Sequence, residues 1–189
     1  METMKKNVKT RKMAVMGMLL AIMLILMLTP LGYIPIGPLK ATIMHLPVII
    51  GAILEGPIVG MALGLIFGIT SMIQAVIAPT PLSFIFLNPV VAVLPRVLIG
   101  LVAYGVYRLT KSSILSAVAG TATNTIGVMG LIYLLYAQRY IEIIGGNTAT
   151  AGKIIAVAGA TNGIPECIVA AAVVGAVVTA VKKYVKSNR

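Results

Sequence analysis

Acidic and aromatic residues are scarce in this sequence of 189 residues. Four Asp and Glu stand against 15 Lys and Arg, aromatic residues make up 5%, and Trp is absent. Only 10% of the residues are charged, while 59% are hydrophobic and the mean hydropathy is +1.06. A soluble domain of this size has no interior large enough for so much apolar surface. These shortages exclude a soluble globular protein and indicate a single membrane domain.

Cysteine and catalytic motifs are equally scarce. The single cysteine, Cys167, excludes an intrachain disulfide and a cysteine metal cluster, and its apolar neighbours favour a packing role. The sequence contains no phosphate-binding loop, no paired acidic motif for a metal, no His-Glu-x-x-His and no Gly-x-Ser-x-Gly. We therefore predict that the chain is not an enzyme and has no metal or cofactor of its own. Any ATP hydrolysis that it depends on must come from another subunit.

Six apolar stretches predict an all-α membrane protein with a bundle of six transmembrane helices. They cover about residues 13–29, 41–54, 57–78, 88–107, 114–136 and 153–181. The second stretch is short and contains His45 and Pro47. A segment rich in Gly and Pro, residues 31–38, is predicted to be structured but not helical. Residues 137–152 are predicted to form the longest polar loop between spans.

Basic residues predict the orientation of this bundle. With the N-terminus in the cytoplasm, 11 of the 15 Lys and Arg lie on the inner side. Lys40, Arg139 and Lys153 lie outside, and Arg96 falls within a span. The positive-inside rule then predicts an even number of spans with both termini cytoplasmic. Because the basic clusters flank the spans, we do not expect nucleic acid binding.

A few polar residues remain inside the predicted spans, where burial is costly unless the side chain faces protein or an aqueous cavity. Arg96 is the first candidate for contact with an anion, because a guanidinium can hold a carboxylate with two hydrogen bonds. Its structural alternatives are a resting ion pair with Glu166 and capping of a carbonyl next to Pro95. The residues predicted to converge on one externally open cavity are Arg96, Asn88, Asn124, Asn162 and Glu166.

Two further residues are candidates with strong structural alternatives. For His45, a hydrogen bond to a neighbouring carbonyl is favoured over a ligand, and no second residue has a spacing suited to a metal. Tyr133 lies near the outer end of the fifth span, where a role as interfacial anchor is favoured over one in the pocket wall.

The sequence resembles the substrate-binding S components of energy-coupling factor (ECF) vitamin transporters along nearly its whole length. The resemblance lies in the basic N-terminus, the six spans in under 200 residues, and residues 31–38, 41–51, 88–96 and 121–127. These stretches look most like the pantothenate-specific branch. The resemblance implies a six-helix bundle in the prokaryotic plasma membrane that binds a vitamin near its external face. It also implies docking onto a transmembrane coupling protein driven by two cytoplasmic ATPases.

If the vitamin is pantothenate, its chemical groups suit the polar residues inside the predicted spans. For pantothenate, Arg96 would receive the carboxylate, and the Asn residues with Glu166 would bind the hydroxyls and the amide. The first external loop, with Tyr33, would cover the pocket. The family's docking motif, Ala-x-x-x-Ala on the first helix, has its nearest match in Ala14, Gly17 and Ala21, of which Gly17 and Ala21 have the required spacing.

The basic clusters and the apolar stretches predict three parts of the chain. Residues 1–12 are a basic cytoplasmic N-terminal segment, residues 13–181 are the membrane substrate-binding domain, and residues 182–189 are a basic cytoplasmic tail.

Several functions other than pantothenate binding remain open at this point. An S component for riboflavin or another vitamin would have the same architecture. A riboflavin pocket would need more aromatic side chains in its wall, and aromatic residues make up only 5% of this chain. A self-sufficient secondary transporter would catalyse uptake with an ion gradient alone. A purely structural membrane subunit would bind no small molecule and would not need polar residues at depth.

Overall fold

The computed structural model describes residues 2–29, 32–36 and 39–187, with side chains described at 10–29, 32, 42–147 and 149–187. Helices dominate these ranges: α1 (Glu2–Leu28), α2 (His45–Glu55), α3 (Pro57–Ile77), α4 (Ser83–Phe86), α5 (Pro89–Thr110), α6 (Ser113–Ile144) and α7 (Ala151–Ser187). The remaining regular elements are the strands β1 (Tyr33–Ile36) and β2 (Leu39–Thr42) and a 3₁₀ turn at Thr148–Thr150.

Five of the described helices are long and apolar enough to cross a membrane: α1 from Thr10 onwards, α3, α5, α6 and α7. A hydrocarbon core about 30 Å thick needs roughly 20 helical residues. The predicted helical membrane fold is therefore confirmed. The second predicted span corresponds to α2, whose 11 residues are too few to cross the hydrocarbon core by themselves.

The predicted polar loop over residues 137–152 is wrong. Helix α6 continues to Ile144 and ends at Gly145, whose φ of +81° suits glycine. Tyr140 and Ile141 are buried and pack with Ile155 at the start of α7, so this part of α6 belongs to an apolar core. Hydrophobic packing of these two side chains extends the helix beyond the polar residues around them.

The segment before α2 is a two-stranded antiparallel hairpin in which Tyr33 pairs with Thr42 and Ile36 with Leu39. This agrees with the prediction of a structured, non-helical segment. The Thr42 hydroxyl donates a hydrogen bond to the Gly32 carbonyl at 2.8 Å and accepts one from the Met44 amide at 3.1 Å. Thr42 thus joins the hairpin to the first turn of α2.

Buried polar residues separate two apolar cores. The larger core surrounds α2 and includes Phe67 of α3 and Ile99 of α5. The smaller core surrounds α4 and includes Val91 of α5. Between the segments that enter each core lie Arg96 in α5, Thr121 and Asn124 in α6, and Asn162 and Glu166 in α7. We call this set the polar belt: Thr42, His45, Thr70, Ser71, Arg96, Thr121, Asn124, Asn162 and Glu166.

Glycines hold α3 and α5 in backbone contact beside the polar belt. A Cβ atom on Gly64 would lie 2.2 Å from the Arg96 carbonyl oxygen, and one on Gly100 would lie 2.3 Å from the Gly60 carbonyl carbon. Small residues permit this close approach between membrane helices. The backbone of α5 at Arg96 is therefore fixed directly against α3.

Candidate functional site

Arg96 occupies an aromatic slot in the polar belt. The residue is 5% exposed, and its Cζ lies 5.4 Å from the ring centroids of both Phe67 and Phe86. Aromatic faces attract a guanidinium, and the attraction strengthens when water is excluded. Phe67 comes from α3, while Phe86 comes from the short helix α4. Two elements besides α5 thus define where this cation sits.

The same guanidinium compensates for the proline that precedes it. Pro95 has no N–H, so it cannot bond the Val91 carbonyl four residues earlier in the helix. The Arg96 Nη1 atom donates a hydrogen bond to this carbonyl at 2.7 Å. Of the two structural alternatives predicted for Arg96, carbonyl capping next to Pro95 is confirmed.

Glu166 faces Arg96 without touching it. Its Oε1 atom accepts a hydrogen bond from the Thr42 amide at 2.6 Å, which ties α7 to the end of β2. Arg96 lies close enough to interact electrostatically with both Glu166 and His45. Among the described side chains, the direct ion pair joins Arg11 to Glu55, and Arg96 forms none with Glu166. The carboxylate and the guanidinium therefore interact electrostatically without forming an ion pair with each other.

His45 lies in this region with unsatisfied polar atoms. The ring is completely buried, and within the described ranges neither Nδ1 nor Nε2 has a hydrogen-bond partner. The Thr42 backbone is near enough to interact with the ring, but the pair falls outside hydrogen-bond geometry. The expected bond from His45 to a neighbouring carbonyl is thus not made. A buried polar group without a partner is costly and points to a ligand or water.

Asn124 and Asn162 add acceptors of the same kind. They are 5% and 7% exposed, and each Oδ1 atom lacks a partner in the described part of the chain. The Asn162 Nδ2 atom donates to the Ala158 carbonyl at 2.9 Å, which fixes the orientation of that amide. Two buried amide oxygens are thus available to accept hydrogen bonds from hydroxyl or amide groups.

Asn88 is placed differently from the other predicted residues. It caps the N-terminus of α5, where its Oδ1 accepts from the Val90 amide at 2.9 Å and its Nδ2 donates to the Tyr136 hydroxyl at 3.0 Å. Eight helical residues put it about 12 Å along α5 from Arg96. Capping explains why an Asn stands here, and contact between Asn88 and a ligand stays a prediction.

Of the two predicted tyrosines, Tyr133 lies away from the described polar belt. Tyr133 is 51% exposed and lines a groove of about 720 Å³ between α6 and α7. Its other lining residues are apolar or small, including Met129, Gly159 and Gly163, so the groove suits hydrocarbon better than a polar vitamin. Tyr33 belongs to β1, but its side chain lies outside the described side chains.

Phe67, Phe86 and the Thr42 amide were not predicted as parts of the site. The chain has only three Phe residues, and the third, Phe84, lies 4.3 Å from the Arg139 guanidinium. No Lys or Arg stands next to these Phe residues in the sequence, so their contacts with cations arise only from the fold. Thr42 acts through its backbone N–H, which every residue except proline has, so its side chain carried no such signal.

The predicted docking residues share one exposed face of α1. Ala14, Gly17 and Ala21 are exposed, whereas Leu19 and Met23 on the opposite face are buried in the larger core. A Cβ atom on Gly17 would meet nothing within 4 Å. The face is thus open to another helix, and docking there stays a prediction.

Comparison with known proteins identifies the family. A family model for the substrate-specific component of ECF transporters matches residues 11–178. A pantothenic acid transporter, PanT, of Lactococcus lactis subsp. cremoris is 35% identical over 199 aligned positions, covering 95% of this chain and 97% of the relative. A pantothenate transporter, PanT, of Leuconostoc mesenteroides subsp. mesenteroides is 37% identical over 102 positions, or 51% of this chain and 50% of the relative.

These matches confirm the resemblance that the sequence motifs indicated. The relatives are transport proteins rather than enzymes. Together with the long apolar helices, they make this chain a multi-pass protein of the plasma membrane. The match runs from the first membrane helix into the last, and the chain belongs to the substrate-specific components of ECF transporters.

Proposed function

We propose that this chain is the pantothenate-binding S component of an ECF importer. The observation that carries the proposal is the polar belt, in which Arg96 interacts electrostatically with Glu166 and His45, and which also holds unpartnered oxygens of Asn124 and Asn162. Pantothenate has one carboxylate, two hydroxyls and one amide, which complement this set. The names of the two PanT relatives support the same vitamin.

In this proposal, Arg96 binds the carboxylate while the aromatic slot holds the guanidinium in place. The Oδ1 atoms of Asn124 and Asn162 accept from the hydroxyls, because a hydroxyl is a donor that these oxygens lack. Glu166 and His45 bind the remaining polar groups. Asn88, Tyr33 and Tyr133 belong to the outer rim, where the hairpin covers the ligand.

We further propose six membrane crossings with both termini in the cytoplasm. In this arrangement α2 and the hairpin before it cross together, since the 11 residues of α2 are too short alone. Residues 1–12 and 182–189 are then basic cytoplasmic segments flanking the substrate-binding domain, residues 13–181. The concentration of Lys and Arg at these ends supports this orientation.

Transport requires partners in this proposal. The exposed face of α1 with Ala14, Gly17 and Ala21 docks on a transmembrane coupling protein, and two cytoplasmic ATPases hydrolyse the ATP. The chain itself contributes the ligand site and uses no cofactor.

The ligand can be identified by an experiment that does not presuppose which vitamin binds. The protein is purified from cells grown in rich medium, and the small molecule released on denaturation is identified by mass spectrometry. We expect pantothenate. Recovery of a flavin would show that the ligand is not pantothenate but would leave the family unchanged. Uptake by the protein alone, in vesicles with an ion gradient, would contradict the ECF mechanism.

The role of Arg96 is tested with Arg96→Lys. Lysine keeps the charge but loses the planar fork, so we expect pantothenate to bind roughly 10- to 100-fold more weakly in isothermal titration of the purified protein. The matched control is Arg108→Lys in the last turn of the same helix, where affinity should be unchanged. Undiminished affinity in Arg96→Lys would remove Arg96 from the site.

A further inference from the structure

A basic groove lies at the far end of the bundle from α4. It has a volume of about 280 Å³ and lies between α1, the end of α2 and the last turns of α7. Its lining combines three cations with apolar walls: Arg11, Lys182, Lys186, Ile53, Leu54, Val181 and Val185. This composition belongs to neither the polar belt nor the exposed face of α1.

Two of the three cations are held in place by the fold. The Nε and Nη2 atoms of Arg11 donate to the same Oε1 atom of Glu55, at 3.1 and 2.9 Å. The Glu55 side chain is 4% exposed, whereas that of Arg11 is 57% exposed, so a buried carboxylate anchors an accessible cation. The Lys182 Nζ atom lies 4.1 Å from the centre of the Tyr107 ring. Glu55 balances one of the three positive charges, and the groove keeps an excess of positive charge.

The chemistry of the groove fits an amphiphile with an anionic head. Basic pockets between membrane helices on the cytoplasmic side favour anionic lipid head groups, and apolar walls favour acyl chains. An acidic protein segment would use the cations but not the apolar walls. We propose that this groove binds one anionic phospholipid, with the phosphate between Arg11, Lys182 and Lys186 and the first acyl methylenes against Ile53, Leu54, Val181 and Val185.

The proposal is tested by native mass spectrometry of the full-length protein with phosphatidylglycerol or phosphatidylcholine of the same chain length. We expect one phosphatidylglycerol to bind in preference to phosphatidylcholine. Each lost charge should weaken binding roughly fivefold, so Lys182→Gln/Lys186→Gln should weaken it about 25-fold. The matched control is Arg108→Gln/Lys111→Gln, which removes two charges outside the groove and should keep wild-type affinity.

Four outcomes would overturn the proposal. Equal binding of the two lipids would show that the groove does not select an anionic head group. Equal losses of affinity in the two double variants would show that only the general surface charge matters. If glycerophosphate, which has no acyl chains, competed as well as phosphatidylglycerol, the apolar walls would not bind the acyl chains. Binding of a poly-glutamate peptide, but not phosphatidylglycerol, with the same dependence on Lys182 and Lys186 would assign the groove to a protein partner. Melting temperatures of both variants verify that they are folded.

Discussion

At the scale of single residues, Arg96 completes a helix hydrogen bond and is also the residue that we propose binds the ligand carboxylate. It caps the carbonyl that Pro95 leaves without a donor, and the rings of Phe67 and Phe86 flank its guanidinium. The sequence predicted its depth and one of these contacts, because Pro95 is its neighbour. The aromatic slot was not predictable in this way, since its rings come from two other helices.

We expect Phe67→Leu to weaken pantothenate binding roughly 10- to 30-fold. A desolvated cation–aromatic contact contributes about 2 kcal/mol, and the smaller side chain also loosens the slot around Arg96. Titration of the purified variant measures the change.

Phe84→Leu is the matched control for this substitution. It removes the ring next to Arg139 and leaves both rings around Arg96 intact. Its affinity for pantothenate should equal that of the wild type. Equal losses in the two variants would show that the Phe67 effect does not act through Arg96.

At the scale of helices and strands, hydropathy predicted where helices exist better than where they end. The hydrophobic stretches located both ends of α3 and α5 to within three residues, and the start of α7 to within two. The extension of α6 was missed because the polar residues Gln138, Arg139 and Glu142 resemble a loop, while Tyr140 and Ile141 pack against α7. Such tertiary packing is not visible in composition.

We expect Gly64→Ala to destabilise the protein by about 1–3 kcal/mol, the usual cost of overpacking. Its Cβ would lie 2.2 Å from the Arg96 carbonyl oxygen, so α3 and α5 must separate and carry Arg96 away from its slot. Thermal unfolding in detergent and pantothenate titration should both report a loss.

The control for Gly64→Ala is Gly105→Ala in α5. A Cβ atom there meets nothing within 4 Å, and alanine is the better helix former. Its stability should equal or slightly exceed that of the wild type. An unchanged melting temperature for Gly64→Ala would contradict the close contact between α3 and α5.

At the scale of the whole molecule, the proposed binding site and the predicted docking face lie on separate parts of the chain. The polar belt lies inside the bundle, whereas Ala14, Gly17 and Ala21 lie on the outer face of α1. The sequence predicted this separation because polar residues at depth and small residues on the first helix are different patterns. A substitution on α1 should therefore affect transport without affecting ligand affinity.

We expect Gly17→Leu to abolish ATP-driven uptake in cells that contain the coupling protein and the ATPases. The larger side chain prevents close helix contact. Pantothenate affinity of the purified variant should be unchanged, because a Cβ atom on Gly17 meets nothing within 4 Å. Gly105→Leu, in open space on α5, should retain uptake, and loss in both variants would argue against a specific role for α1.

The hydrogen bond between Thr42 and Glu166 joins positions 124 residues apart in sequence. During synthesis the hairpin leaves the ribosome long before α7 does. The hydrogen bond to Glu166 therefore cannot form while the middle helices insert. The last helix brings Glu166 and Asn162 together with the residues already in the membrane. A chain truncated before α7 therefore has Arg96 but lacks the anchor of its hairpin, so the proposed site can be complete only once α7 has been added.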